Sequence, residues 1–362
     1  MVAITTVEDT NGLQSQCERA ASFLITDQKS QKSLSFVLIM SFVLQDGVFE
    51  QIDNGNFHNS ISYKNARELG RGNAGKVYEV TIGQALHNFE NFSNPCAIKV
   101  FKSLDRARRE RKFMHETEGL EFQHDHLAVI HGGVESSGTY YMISKFTSEG
   151  HLEDFMQKHS KGINTVGLNY HWFISQLEGL SGALNKVHNP APSFAAFHHD
   201  IKPANILVFS DTNENGQPVV RFKLTDWGCA VVQSVGDPPS SPRSNRNPNP
   251  SYNPPEADND QYTSRPHDIW SLGCVLLELC IWFVKGYETL GAFRTLKFGE
   301  NDLDKFFPSG SAPYTLSSCV DRALIDLAAH DDNLWGKQAD GIRLMLEVTQ
   351  ESRPGASDLA DK

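Results

Sequence analysis

The chain has 362 residues, 39% of them hydrophobic and 21% charged, which is ordinary for a globular protein and enough for one large or two coupled domains. Its formal net charge of -11 argues against nucleic acid or an anionic membrane as the default partner. Six cysteines are scattered without a CxxC pair or a zinc spacing, so the expected setting is a reducing, intracellular one (cytoplasm, nucleus or both), not a disulfide framework.

Residues 1–60 read as an N-terminal extension of unknown role, without the basic start and apolar core of a signal peptide. The apolar run 34–44 is too short for a spanning helix, which takes roughly 20 residues, so a packed helix or strand is expected and no transmembrane segment. From Ser62 short β-like runs carry the turn Gly70-Arg71-Gly72-Asn73-Ala74-Gly75, and residues 76–80 continue as a strand. A second run, Cys96-Ala97-Ile98-Lys99-Val100-Phe101, precedes a charged helix over 106–118. Strand-like runs follow around 127–133 and 139–146.

After Gly150 the pattern turns helical. One helix opens at 151–156. In the next, Phe173, Leu177, Leu180, Leu184 and Val187 step along one helical face, and Asn189-Pro190 is a stop signal. Strands at 206–209 and 219–224 flank the turn composition 211–216. Residues 234–255 are a long Pro-, Ser- and Asn-rich loop, and 270–284 is a nearly continuous apolar segment of helix length that belongs in a core. Strands first and helices second predict an α+β protein in two lobes, at 61–148 and 149–362. Cys96 and Cys274 lie in apolar runs and are expected core residues.

The most telling stretch is Phe197-His198-His199-Asp200-Ile201-Lys202-Pro203-Ala204-Asn205. A carboxylate, an ammonium and a carboxamide at spacings of two and three residues can serve a hydroxyl, a phosphoryl group and a hard divalent metal together. Each alone is common in turns, so it is the combination that carries the signal. Lys99 lies in an apolar strand run, where a lysine is costly to bury unless paired, and its plain alternative is a surface lysine on the outer strand face. Asp226-Trp227-Gly228 follows Asn205 behind a short strand. Glycines in a strand–turn–strand let backbone N–H groups close over phosphates, though such a hairpin is common on its own. The basic run 106–112 reads first as a solvated helix face, with a docking patch for acidic or phosphorylated partners as the alternative.

In order and spacing, these motifs resemble those of the eukaryotic protein kinase superfamily, over about residues 62–357, with the two-lobed α+β fold. Pro254-Pro255-Glu256, Asp268 and Arg353 resemble its structural anchors. The resemblance implies a serine/threonine kinase that transfers the γ-phosphoryl group of ATP to protein hydroxyls, with ATP and Mg²⁺ as cofactors, a protein substrate, no nucleic acid and a monomeric state. It assigns catalysis to Asp200, Lys202, Lys99 and a helix glutamate, Glu116, with Glu118 as the alternative. It assigns the metal to Asn205 and Asp226. Nucleotide contacts fall to Gly70, Arg71, Gly72, Gly75, Val77, Ala97, Lys99, Lys145, Phe146 and Leu207, with the small Ser144 behind the adenine. Asn249 stands where the family has a threonine before the tyrosine of the peptide-binding turn, Tyr252. His199 replaces the arginine that grips a phosphorylated loop in the family, so little need for loop phosphorylation is expected. The rival reading is a catalytically weak or inactive pseudokinase scaffold that binds ATP.

Overall fold

The computed structural model describes residues 67–360 apart from 73–74, 81–94, 118–122, 129, 137–138, 163–167, 213–217, 236–250, 259–263, 301–303, 309–312 and 332–333. The extension 1–60 with its apolar run, the turn at 213–216, Glu118, Asn249 and most of the 234–255 loop lie outside the described residues. Contacts divide the chain into two compact units, residues 1–104 with 130–146 and residues 105–129 with 147–362.

Among the described residues, the first unit is one antiparallel sheet. Strands β1 (Arg67–Arg71), β2 (Gly75–Val80), β3 (Cys96–Phe101), β4 (Ile130–Ser136) and β5 (Thr139–Lys145) lie in the order β1-β2-β3-β5-β4. Alternation along each strand sends successive side chains to opposite faces. Val80, Cys96, Ile98 and Ile143 are buried on one face, and Phe101 and Met142 on the other. The expected strands around 127–133 and 139–146 are β4 and β5, starting three residues later in the first case.

The second unit is helical: α1 (Leu104–Glu116), α2 (Leu152–Lys158), α3 (Tyr170–His188), α4 (Arg265–Lys285), α5 (Tyr287–Glu300), α6 (Ser318–Ala328), α7 (Gly336–Met345) and α8 (Ala356–Ala360). It also holds two small antiparallel sheets, β6 (Phe194–Phe197) with β9 (Val231–Ser234), and β7 (Ile206–Thr212) with β8 (Pro218–Leu224). Helix α1 groups with this unit for a physical reason. Its Phe113 stacks on Trp227, and the backbone after it pairs with β8, Ala128 N–H donating to Leu224 O and Leu224 N–H to His126 O, each at 2.9 Å.

In α3 the Asn169 side chain caps the start by accepting from Trp172 N–H at 2.9 Å. The five residues of its periodic face are all buried, and the helix stops at Asn189 as the Asn-Pro signal requires. Helix α4 is the centre of the unit. Among the described residues it is the one helix long and apolar enough to cross a membrane, yet 94% of its apolar window is packed inside the protein. Trp282 on α4 donates from Nε1 to the carbonyls of Met156 and His159, both at 3.0 Å, and so fixes α2 against it. Gly286, with φ 85°, ends α4 where a Cβ would stand 2.8 Å from Ser160 O. Cys96 and Cys274 are both fully buried.

Arg353 closes the bottom of the unit. Its fully buried guanidinium bonds both oxygens of Glu256, at 2.6 and 2.8 Å, and the Pro266 carbonyl at 3.0 Å. Arg353→Ala strands the Glu256 carboxylate, and we expect urea unfolding to show a loss of about 3–5 kcal/mol. Arg353→Lys should recover only part of it, because an ammonium cannot bind two oxygens in a planar fork.

Candidate active site

Asp268, at the start of α4, is completely buried. Its carboxylate accepts the backbone N–H groups of His198 and His199, each at 2.7 Å, and lies 3.1 Å from His188 Nε2. Burial alone would raise this carboxyl, but the His188 hydrogen bond and the surrounding imidazoles hold it well below the carboxylate range. The anchor forces His199 to φ 60°, a left-handed conformation that turns the chain into Asp200.

The three residues of the Asp–Lys–Asn pattern meet. Lys202 Nζ lies 2.9 Å from Asp200 Oδ2, and Asn205 Nδ2 donates to both the carbonyl and Oδ2 of Asp200 at 2.8 Å. A tight turn, with Asn205 N–H to Lys202 O at 2.9 Å, sets the spacing. Burial pushes the Asp200 carboxyl up, Lys202 pulls it back, and the charge of Asp226 adds to the rise. The amide of Asn205 spends its nitrogen on Asp200, which leaves its oxygen as the free donor. Thr225 N–H donates to Asn205 O at 3.0 Å, bringing Asp226 next to Asn205. Asp226 itself is left-handed, at φ 68°, and accepts from Gly228 N–H at 3.4 Å. A carboxylate and a carboxamide oxygen are hard donors of the kind that suits Mg²⁺.

Trp227 is buried between Phe113, stacked at 4.8 Å and 9°, and His198 at 4.9 Å. Leu207 pairs with Lys223 in the β7–β8 hairpin and bridges His151.

In the sheet unit, register places the other expected residues. Val77 pairs with Lys99, and Lys99 with Met142; Glu79 pairs with Ala97, and Ala97 with Ser144. Cross-strand partners share a face, so Val77, Ala97, Lys99 and Ser144 line one face of the sheet. Lys145 pairs with Cys96 and belongs to the opposite face, while Phe146 follows the end of β5. Gly70 and Arg71 end β1 and Gly75 opens β2; Gly72 N–H donates to Gly75 O at 2.9 Å. Gly75 has no substitute, since a Cβ there would stand 2.1 Å from Val100 O. Lys102 Nζ donates to Gly72 O at 2.9 Å and steadies the turn.

The chain matches the protein kinase domain family over residues 63–361. It belongs to the protein kinase family. Its two-lobed fold, a β-sheet unit followed by a mainly helical one, is that of the family. It is 29% identical to mitogen-activated protein kinase kinase kinase 1 of Arabidopsis thaliana over 308 residues, 82% of this chain and 41% of that protein. It is also 29% identical over 187 residues to a serine/threonine-protein kinase of Saccharomyces cerevisiae, 49% of this chain and 20% of that protein. An Aurora kinase of Eremothecium gossypii is 27% identical over 220 residues, 59% of this chain and 51% of that protein. The kinase chain thus spans about half or less of the length of these relatives.

One buried carboxylate escaped the sequence reading. Glu110 on α1 is completely buried, and its Oε2 lies 3.9 Å from where a Cβ on Gly228 would sit. The missed signal was helical phase, since Ala107, Glu110, Phe113 and Thr117 form the buried face of that helix. Glu116 is the last residue of α1, and its side chain lies outside the described ones.

The segment before Glu256 is tied to α4 at two points. Tyr252 donates its hydroxyl to Glu278 at 2.9 Å, and Ser271 Oγ donates to the Tyr252 carbonyl at 2.8 Å. Arg294 bonds Glu278 at 2.6 Å and both oxygens of Glu153 at 2.8 Å, so α2, α4 and α5 share one ion network. Lys297, also buried, lies 3.7 Å from Glu278.

Burial holds His199 and His126 down to about 4, against 6.5 for a free imidazole. Between these values the unfolded chain takes up a proton that the folded kinase refuses, so stability is intact above pH 6.5 and falls as pH drops toward 4. For the almost wholly buried His199 the expected slope is about 1.4 kcal/mol per pH unit. Urea unfolding at pH 7 and pH 5 measures it, and His199→Gln should flatten the curve.

Proposed function

We propose that the chain is an active, Mg²⁺- and ATP-dependent protein serine/threonine kinase. The observation that carries this reading is the joined set of Asp200, Lys202 and Asn205, with Asp226 beside them. Asp200 accepts or orients the acceptor hydroxyl. Its raised pKa keeps it basic enough to take up a proton, and Lys202 holds it in place while offering positive charge to the transferred group. Asn205 and Asp226 would hold Mg²⁺, which neutralises charge on the phosphates when bound. The glycine turn offers backbone N–H groups to phosphates, and Lys99 with Val77, Ala97 and Ser144 offers one sheet face to the nucleotide. We assign the helix-glutamate role to Glu110, which is buried beside the Asp226–Gly228 turn, in preference to Glu116. The Asp-x-Lys spacing and the serine/threonine kinases among the relatives favour Ser/Thr hydroxyls. Protein substrates fit the segment from Tyr252 to Glu256, which is locked to the helical core on both sides.

All members of this set are present, which supports an active kinase over a pseudokinase. The experiment is phosphoryl transfer from Mg-ATP to a Ser/Thr peptide library. Catalysis here is positioning and electrostatics, so Asp200→Asn or Asp226→Asn should lower kcat by at least about 10²–10³ with the fold retained. Full activity in either purified variant would sink the mechanism, and an inactive wild type would favour the scaffold.

A further inference from the structure

The stretch Asp304-Lys305-Phe306-Phe307 has no regular structure and no part in the chemistry above, yet every one of its residues is held. Lys305 is 3% exposed, and its ammonium donates to both carboxylate oxygens of Asp258 at 2.7 Å. Asp258 ends the short turn Pro255–Asp258, just beyond Glu256. Lys297 on α5 is wholly buried. Its ammonium lies 3.3 Å from Asp304 Oδ1 and 3.8 Å from the centre of the Phe306 ring. Phe306 in turn meets Tyr252 at 6.1 Å, and Phe307 meets Trp270 of α4 edge-on at 5.9 Å. The stretch therefore reaches both ends of the segment from Tyr252 to Asp258, through Phe306 at one end and Lys305 at the other.

Aromatic packing alone would hold such a stretch, and two methionines would fill the lysine sites without the cost of burying charge. The ion pairs add what packing lacks, a fixed register, because a buried ammonium is stable only where its carboxylate stands. Neither lysine is needed to rescue a stranded anion. Glu278 beside Lys297 already bonds Tyr252 and Arg294, and the Asp304 and Asp258 side chains are 36% and 37% exposed. We propose that residues 304–307 form a strap that sets the substrate segment, with Lys305 and Lys297 as its positioning residues. The strap fixes where an acceptor peptide lies and leaves the Asp200 chemistry alone. It thus governs affinity for the protein substrate, not the rate of transfer once that substrate is bound. The substrate role rests on the proposed kinase activity, whereas the strap itself does not.

Hydrogen–deuterium exchange and steady-state kinetics of the full chain separate the two. Lys305→Met keeps the length of the side chain and removes its charge; Lys305→Arg keeps the charge. Asp258→Asn breaks the same pair from its more exposed side. Losing this charged pair should raise exchange across residues 252–258 by about fivefold in Lys305→Met and in Asp258→Asn. With Mg-ATP and a Ser/Thr peptide that the wild type phosphorylates, the peptide KM should rise about fivefold in both, with kcat and the ATP KM within about twofold of the wild type. Lys305→Arg should recover most of the loss. Unchanged exchange in whichever of the two disrupting variants folds overturns the strap. Raised exchange with an unchanged peptide KM, or with a fall in kcat alone, makes the stretch a structural brace and overturns the positioning role. A wild type that transfers no phosphate to any peptide sinks the kinase reading and the substrate role with it, whereas exchange still decides the strap.

Discussion

The arrangement depends on one buried carboxylate. Asp268 accepts two backbone N–H groups and faces His188, all inside the helical unit. A lone carboxylate could not remain ionised there; three partners make it the fixed point from which residues 198–205 are hung. Helix α4 supplies the rigidity. It is apolar nearly all round and buried over His267–Phe283, so Asp268 has little freedom to move. The left-handed backbone at His199 is the strain that this anchor sustains.

The same helix carries a second buried carboxylate, Glu278, and treats it differently. Asp268 is satisfied by backbone groups and an imidazole; Glu278 is satisfied by Tyr252 and by Arg294 and Lys297 of α5. The first holds the catalytic segment and the second holds the segment before Glu256. Two carboxylates ten residues apart on one core helix thereby set the positions of two loops that lack regular structure of their own.

Much of this was legible in the residues. The face of α3 could be read because apolar positions at helical spacing have one physical meaning, and Asn189-Pro190 marks its end. The Asp200–Lys202–Asn205 set could be read because a phosphoryl-transfer site would call for those groups at that spacing. Glu110 was not legible by counting back from His124; only the phase of the buried face reveals it. Nor was the grouping of α1 with the helical unit, because it comes from Phe113 and the His126–Ala128 backbone meeting residues a hundred positions away. The pairing of β6 with β9 was hidden for the same reason: both strands are four residues long and their contact is non-local.

Trp227 brings a consequence for inhibitor chemistry. Its indole lies face to face with Phe113 and against His198, in a seat closed on both sides. A phenyl ring in that seat would be smaller and would share less surface with its neighbours. A compound that needs this aromatic to leave must separate a stacked bicyclic ring from Phe113 and find room for it elsewhere.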